Sequence, residues 1–201
     1  MTPRAPALPP DQRRAAIVTA ALGVLRRKGN AATTREIAEA AGVAEGTLFR
    51  AFGTKEDLVC AAMEQAFEPT PVIAQLAAID AALPLRERLV VAVGVIQARY
   101  LEVFELMHAM GIVHPPDSTA GHRHAGPGAH ATAGPWRQQM LERLFALVEP
   151  DSEQLRVPAD ELVDLIVLLS FAGSHHTLTQ GRILAPDTIV DVLLDGTRKV
   201  S

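Results

Sequence analysis

The sequence predicts an all-α fold, a small helical head followed by a larger helical body. Three observations lead there. Apolar residues recur at three- and four-residue spacing, no segment beyond the head alternates apolar and polar residues as a half-buried strand does, and the later helical runs each carry Pro near their start.

Residues 1–10 are Pro-rich, have no apolar period and are expected to form a disordered arm. Ile17, Val18, Ala21, Leu22 and Leu25 form the stripe of a first helix from about Asp11, stopped by Gly29-Asn30. Thr33 and Glu36 have capping-box spacing and open a short second helix to Ala41. Gly42 supplies a turn, and Ala44 to Phe52 is long enough for about two turns of a third helix. Thr54 and Asp57 repeat the capping box before a fourth helix, which Pro69 and Pro71 close. A domain boundary is therefore expected after residue 68, with the head at 11–68 and the body at 69–201.

In the body, helices are expected over Val72–Leu83, from Pro84 to about Met110, over Pro135–Val148, from Pro158 to about Gln180 and from Pro186 to about Arg198. Residues 113–134 hold four Gly, three Pro and four His and read as a flexible loop. The run DELVDLIVLLSFAGSHH is apolar nearly all round, and an oligomer interface is the simplest way to cover it.

Composition excludes several function classes. The 201 residues are 48% apolar and 21% charged, outside the disordered and collagenous ranges. A lone cysteine, Cys60, rules out an internal disulfide framework and an all-cysteine zinc site, and fits a reducing compartment. The N-terminus places Pro and charge where a signal peptide needs an apolar run, and the longest uncharged stretch, Leu165–Gly181, contains two histidines, so a cytoplasmic chain without membrane spans is expected. The net charge of −4 conceals an asymmetry: nine Lys or Arg against four Asp or Glu up to Lys55, and ten against nineteen beyond it. A basic head on an acidic body is the layout for a chain whose head alone meets a polyanion.

Residues 34–51 fit a helix-turn-helix. Ile37, Val43 and Leu48 supply apolar contacts, Ala38 is small where two helices approach, and Gly42 sits in the turn. Through Ala32-Thr33-Thr34-Arg35-Glu36-Ile37-Ala38, Ala41-Gly42-Val43, Gly46-Thr47-Leu48-Phe49, Phe52 and Lys55-Glu56-Asp57-Leu58, residues 13–67 resemble the tetracycline-repressor (TetR) family of bacterial transcriptional regulators. The segment Ile189–Gly196 also looks like the last helix of such proteins. The resemblance implies a homodimer joined by its last two helices, with a head that binds a palindromic operator in double-stranded DNA and a body that binds a small effector.

Carried over by that resemblance, the DNA-binding set is Thr33, Thr34, Arg35, Glu45, Gly46, Thr47, Phe49, Arg50 and Lys55. Thr34 takes the place of a phosphate-bonding hydroxyl, Arg35 reaches a base or phosphate, and Glu45, Gly46 and Thr47 open the recognition helix. Two departures stand out. Phe49 replaces the family's usual phosphate-bonding tyrosine, a loss that Arg50 can offset, and Glu45 repels phosphate but can accept from cytosine N4. Lys55 adds a phosphate contact at the start of the fourth helix.

For the effector, the candidate pocket walls are Tyr100, Phe104, Met107, His108, Trp136, Phe145, Phe171 and His175, which suit a mostly apolar molecule with one polar group. No cofactor or metal is expected. His114, His122, His124 and His130 offer imidazoles to Zn or Ni but lack structured spacing or a carboxylate behind them. Ser170 and His175 have no third member of a nucleophilic set, so an enzyme is not expected. The alternatives to a repressor are an activator or a ligand-independent regulator with the same head, and a metal-binding protein using the His-rich loop.

Overall fold

A computed structural model of the chain describes residues 9–112 and 135–197. Residues 1–8 of the expected arm, the whole 113–134 segment with its four histidines, the side chain of Trp136 and residues 198–201 lie outside the described residues. Among those described there are nine α-helices and no strand: α1 (Pro10–Lys28), α2 (Thr34–Ala41), α3 (Glu45–Phe52), α4 (Lys55–Ala66), α5 (Thr70–Ala77), α6 (Leu85–Met110), α7 (Pro135–Val148), α8 (Ala159–Ser174) and α9 (Pro186–Thr197). Pro10, placed in the arm by composition, is already helical, as a missing N–H costs nothing at a first turn.

The chain forms two compact units, one drawn from Met1–Glu68 and Glu105–Pro115 and the other from Pro69–Phe104 and Pro116–Ser201. In the first, Ile17, Leu25, Ile37, Leu48 and Leu58 are fully buried around one core, each contributing roughly 1.5–3 kcal/mol by leaving water. Leu106 and Met110 of α6 join that core, although periodicity alone assigned them to the body. Both capping boxes form: the hydroxyls of Thr33 and Thr54 accept from the N–H of Glu36 and Asp57, whose carboxylates accept in return. Gly42 ends α2 at φ 65°, ψ 30°, donating to the carbonyls of Ala38 and Glu39.

The second unit is built on Leu89, Ile96, Leu144, Leu162, Ile166 and Val190, from α6, α7, α8 and α9. Arg88 is buried and donates to the carbonyls of Ala81 (2.9 Å) and Leu83 (3.0 Å) and to the carboxylate of Asp151. It thereby fastens the turn before α6 to the segment after α7. Two helices are shorter than periodicity suggests. The run expected over Val72–Leu83 ends at Ala77, and Asp80 then takes the N–H groups of Ala82 (2.9 Å) and Leu83 (3.2 Å) in a turn. Expected to reach Gln180, α8 stops at Ser174 because the Gly173 carbonyl accepts from Leu184 N–H at 3.0 Å rather than from the next helical turn. Gly173 lets that return segment lie close: a Cβ there would meet the Ile189 Cδ1 at 3.0 Å and the Leu184 Cβ at 3.2 Å. Buried Gln97 holds the same segment by donating to the Leu184 carbonyl at 2.9 Å. His175 and His176 are therefore not on a common helix, as expected from sequence, but in the turn that follows α8.

Candidate nucleic-acid interface and the ring cluster of the body

In the head, α2 and α3 are set by the Gly42 turn and by Leu48 and Phe52, which anchor α3 on its inner side. This leaves Glu45, Gly46, Phe49 and Arg50 on the outside, with the Phe49 ring 45% exposed. Thr47 is half-buried and its N–H donates to the Ala44 carbonyl at 2.8 Å, within the first turn of α3. A Cβ on Gly46 would meet nothing within 4 Å, so the space beside it opens outward.

The charged groups of the head fall into two sets. In the first, cations are already engaged: Arg35 pairs with Glu39 at 3.2 Å, and Lys28 pairs with Glu36 across α1 and α2. The Lys28 ammonium, with the capping-box donors of Thr33, lowers the pKa of Glu36 from 4.5 to about 2. In the second set are Arg50 and Lys55, which have no hydrogen-bond or ion-pair partner among the described residues. Arg50 is exposed on α3, and Lys55 is half-buried at the first position of α4, the positive end of that helix's dipole. Thr34 is half-buried, and its hydroxyl donates to the carboxylate of Glu45, linking the start of α2 to the start of α3.

Sequence reading missed Arg14. Its guanidinium donates to the Ala51 carbonyl at the end of α3 and lies 4.0 Å from the centroid of the Phe52 ring, which fastens α1 to α3. No local signal points to it, because the partners stand 37 residues apart.

Of the eight residues proposed for the effector site, four come together in the second unit. Tyr100 and Phe104, one turn apart on α6, stack at 5.9 Å, and Phe171 of α8 meets both edge-on at 5.4 and 5.2 Å. His175 completes the group 5.0 Å from Phe104 and 6.0 Å from Phe171. Burial raises the pKa of Tyr100 against the small opposing effect of Arg137. The hydroxyl of Ser170 and Nδ1 of His175 are buried without a hydrogen-bond partner among the described residues. Met107, His108 and Phe145 do not join them, and the side chain of Trp136 lies outside the described residues. Met107 and His108 lie on the part of α6 that clusters with the head, with His108 exposed, and Phe145 is 42% exposed on α7 and shares no ring contact among the described residues. None of the seven described candidates lines the open groove of about 760 Å³ between the end of α8 and the start of α9, whose walls include Leu169, Ala172, Leu178, Ile183, Leu184 and Thr188. Among the described residues no three His, Cys, Asp or Glu side chains gather as metal ligands, and no helix is long and apolar enough to cross a membrane.

Known proteins match this arrangement. Residues 17–62 match the model of bacterial regulatory proteins of the tetR family. Over 94% of this chain and 99% of the other, the fold resembles a TetR transcriptional regulator from Streptomyces coelicolor, with 22% identity and a TM-score of 0.55. A second TetR-family regulator from that organism matches 92% of this chain and 78% of its own at 19% identity and a TM-score of 0.59. A superantigen, PfiT, shares the fold at 17% identity and a TM-score of 0.59, over 94% of this chain and 97% of its own. Such identities carry fold alone, and the head carries the function class. Residues 17–62, the helix-turn-helix, thus match the bacterial regulatory proteins of the tetR family, and the chain has the all-α fold of solved TetR regulators along nearly its whole length.

Proposed function

We propose that this non-catalytic DNA-binding regulator is a cytoplasmic homodimeric repressor that binds a palindromic operator and is released by a small, mostly apolar effector. The observation that carries this reading is the outer face of α3 and the start of α4, where Arg50 and Lys55 are cations without partners among the described residues, close to an exposed Gly46. Residues 11–68 are taken as the DNA-binding domain and residues 69–201 as the effector and dimer domain. Thr33, Thr34, Arg35, Glu45, Gly46, Thr47, Phe49, Arg50 and Lys55 form the proposed DNA surface.

Dimerisation through α8 and α9 is supported by apolar side chains left in water on both helices, with Leu168 60% and Val192 63% exposed. The effector site is proposed at Tyr100, Phe104, Phe171 and His175, where unpartnered Nδ1 of His175 supplies one polar contact among rings. Selecting bound fragments from random duplex DNA tests the function class. Inverted repeats about one helical turn apart, or a small multiple of it, are expected, with log K falling against log salt at a slope of about −5 for six phosphates. A slope near zero without an enriched palindrome would falsify the repressor reading.

A further inference from the structure

We propose that Glu45 selects one base pair of the operator, reading a C·G pair at cytosine N4, and that Thr34 is its positioning residue. The inference rests on the DNA-binding reading above and names what one residue of that surface recognises.

Thr34 has a single hydroxyl hydrogen, and it is given to the carboxylate of Glu45. That hydrogen is then not available to a phosphate, the role the family resemblance assigns to Thr34. The bond instead ties down one oxygen of the carboxylate and leaves the other free. Glu45 is exposed at the first position of α3, where the positive end of the helix dipole favours an anion. It has no cation partner among the described residues: Lys28 is held by Glu36 and Arg35 by Glu39. The adjoining Gly46 carries no side chain, and a Cβ there would meet nothing within 4 Å.

An ionised carboxylate only accepts hydrogen bonds, and phosphates repel it. The major groove offers it two kinds of donor, the N4 amine of cytosine and the N6 amine of adenine. Adenine sets its acceptor N7 directly beside N6, which repels a second acceptor, whereas cytosine has no acceptor next to N4 on that edge. A carboxylate fixed in position by Thr34 therefore favours C·G over the other pairs by roughly tenfold.

The test is selection from random duplex DNA with the full chain, as wild type and as Glu45→Gln, Thr34→Val and Thr34→Ser, each shown folded by circular dichroism. The wild type is expected to enrich one C·G pair per half-site that Glu45→Gln converts to A·T, because an amide can pair with both N6 and N7 of adenine. Thr34→Val should relax that one position by roughly tenfold and leave the rest of the site unchanged, and Thr34→Ser should restore it. An unchanged site in Glu45→Gln overturns the base assignment. If Thr34→Val weakens all sequences alike, Thr34 is a phosphate contact and the positioning role is overturned. Failure of the wild type to enrich any sequence sinks the DNA-binding proposal itself, and this inference with it.

Discussion

Gly29, at φ 54°, lies against the last turn of α6 so closely that a Cβ would stand 1.7 Å from the carbonyl oxygen of Ala109. Beside it, the Asn30 amide donates to the Met110 carbonyl at 2.8 Å and satisfies one of the open carbonyls of that helix end. The turn between α1 and α2 is thus shaped by backbone contact rather than by side-chain packing. Gly29→Ala is expected to lose about 3 kcal/mol or more, since both the φ angle and the approach forbid a side chain. Gly42→Ala, where a Cβ would meet nothing within 4 Å, should lose only the roughly 1 kcal/mol of its left-handed backbone. Urea unfolding of both variants checks the contrast, and equal losses would show that the Ala109 contact yields.

The low pKa of Glu36, about 2, makes the head acid-sensitive. Its folded pKa lies below the unfolded 4.5, so the unfolded chain binds the extra proton, and the stability contributed by Lys28 and Thr33 is complete above about pH 5 and lost as pH falls toward 2. Asp191, lowered by the bidentate contact with Arg86 at 2.7 and 2.9 Å, acts in the same direction in the body. Glu36→Gln should flatten the decline of the urea midpoint between pH 5 and 2, and an unchanged decline would assign the sensitivity to other carboxylates.

Arg88→Ala should cost about 3–5 kcal/mol, because it takes the cation from Asp151, which keeps only the Gln154 amide, and the donors from two carbonyls that Arg88 satisfies from a buried position. A melting curve suffices as the measurement. A loss under about 1 kcal/mol would mean that water replaces the guanidinium.

Arg50→Ala and Lys55→Ala are expected to weaken operator binding with helicity unchanged, as neither side chain holds a partner in the head. Loss of a phosphate contact at Lys55 should reduce the salt slope by about one. Phe49→Tyr should tighten binding by about 1 kcal/mol if the ring's exposed edge meets a phosphate. Filter binding at several salt concentrations distinguishes these outcomes, and wild-type slopes in both Ala variants would place the contacts elsewhere.

Tyr100 is the chain's one tyrosine, which makes it a built-in reporter of the ring cluster. In a Trp136→Phe background, an effector seated on Phe104, Phe171 and His175 should change Tyr100 emission, and Phe171→Ala should weaken that response. Linkage requires operator DNA to lower effector affinity by the factor with which effector lowers operator affinity; a hundredfold coupling is about 2.7 kcal/mol. Equal effector affinity with and without operator would show a bound molecule that is no inducer.

The sequence by itself determined the features that depend on neighbours three or four residues away. The capping boxes at Thr33 and Thr54, the left-handed turn at Gly42 and the apolar stripes of α1 to α4 all arise from short-range hydrogen bonds and helical period. For the same reason α7 spans the residues its periodicity marks. Tertiary structure decided what distant segments do to one another. Arg14 finds Ala51 and Phe52, Asn30 finds Met110, and Phe104 finds Phe171 and His175, pairings that no periodicity encodes. It also decided where α8 ends: the Gly173 carbonyl has to choose between the next turn of its own helix and Leu184 N–H, and packing of the return segment on Ile189 and Gln97 settles the choice. The bond between Thr34 and Glu45 is of the same kind, since it exists only once the Gly42 turn has brought the starts of two helices together.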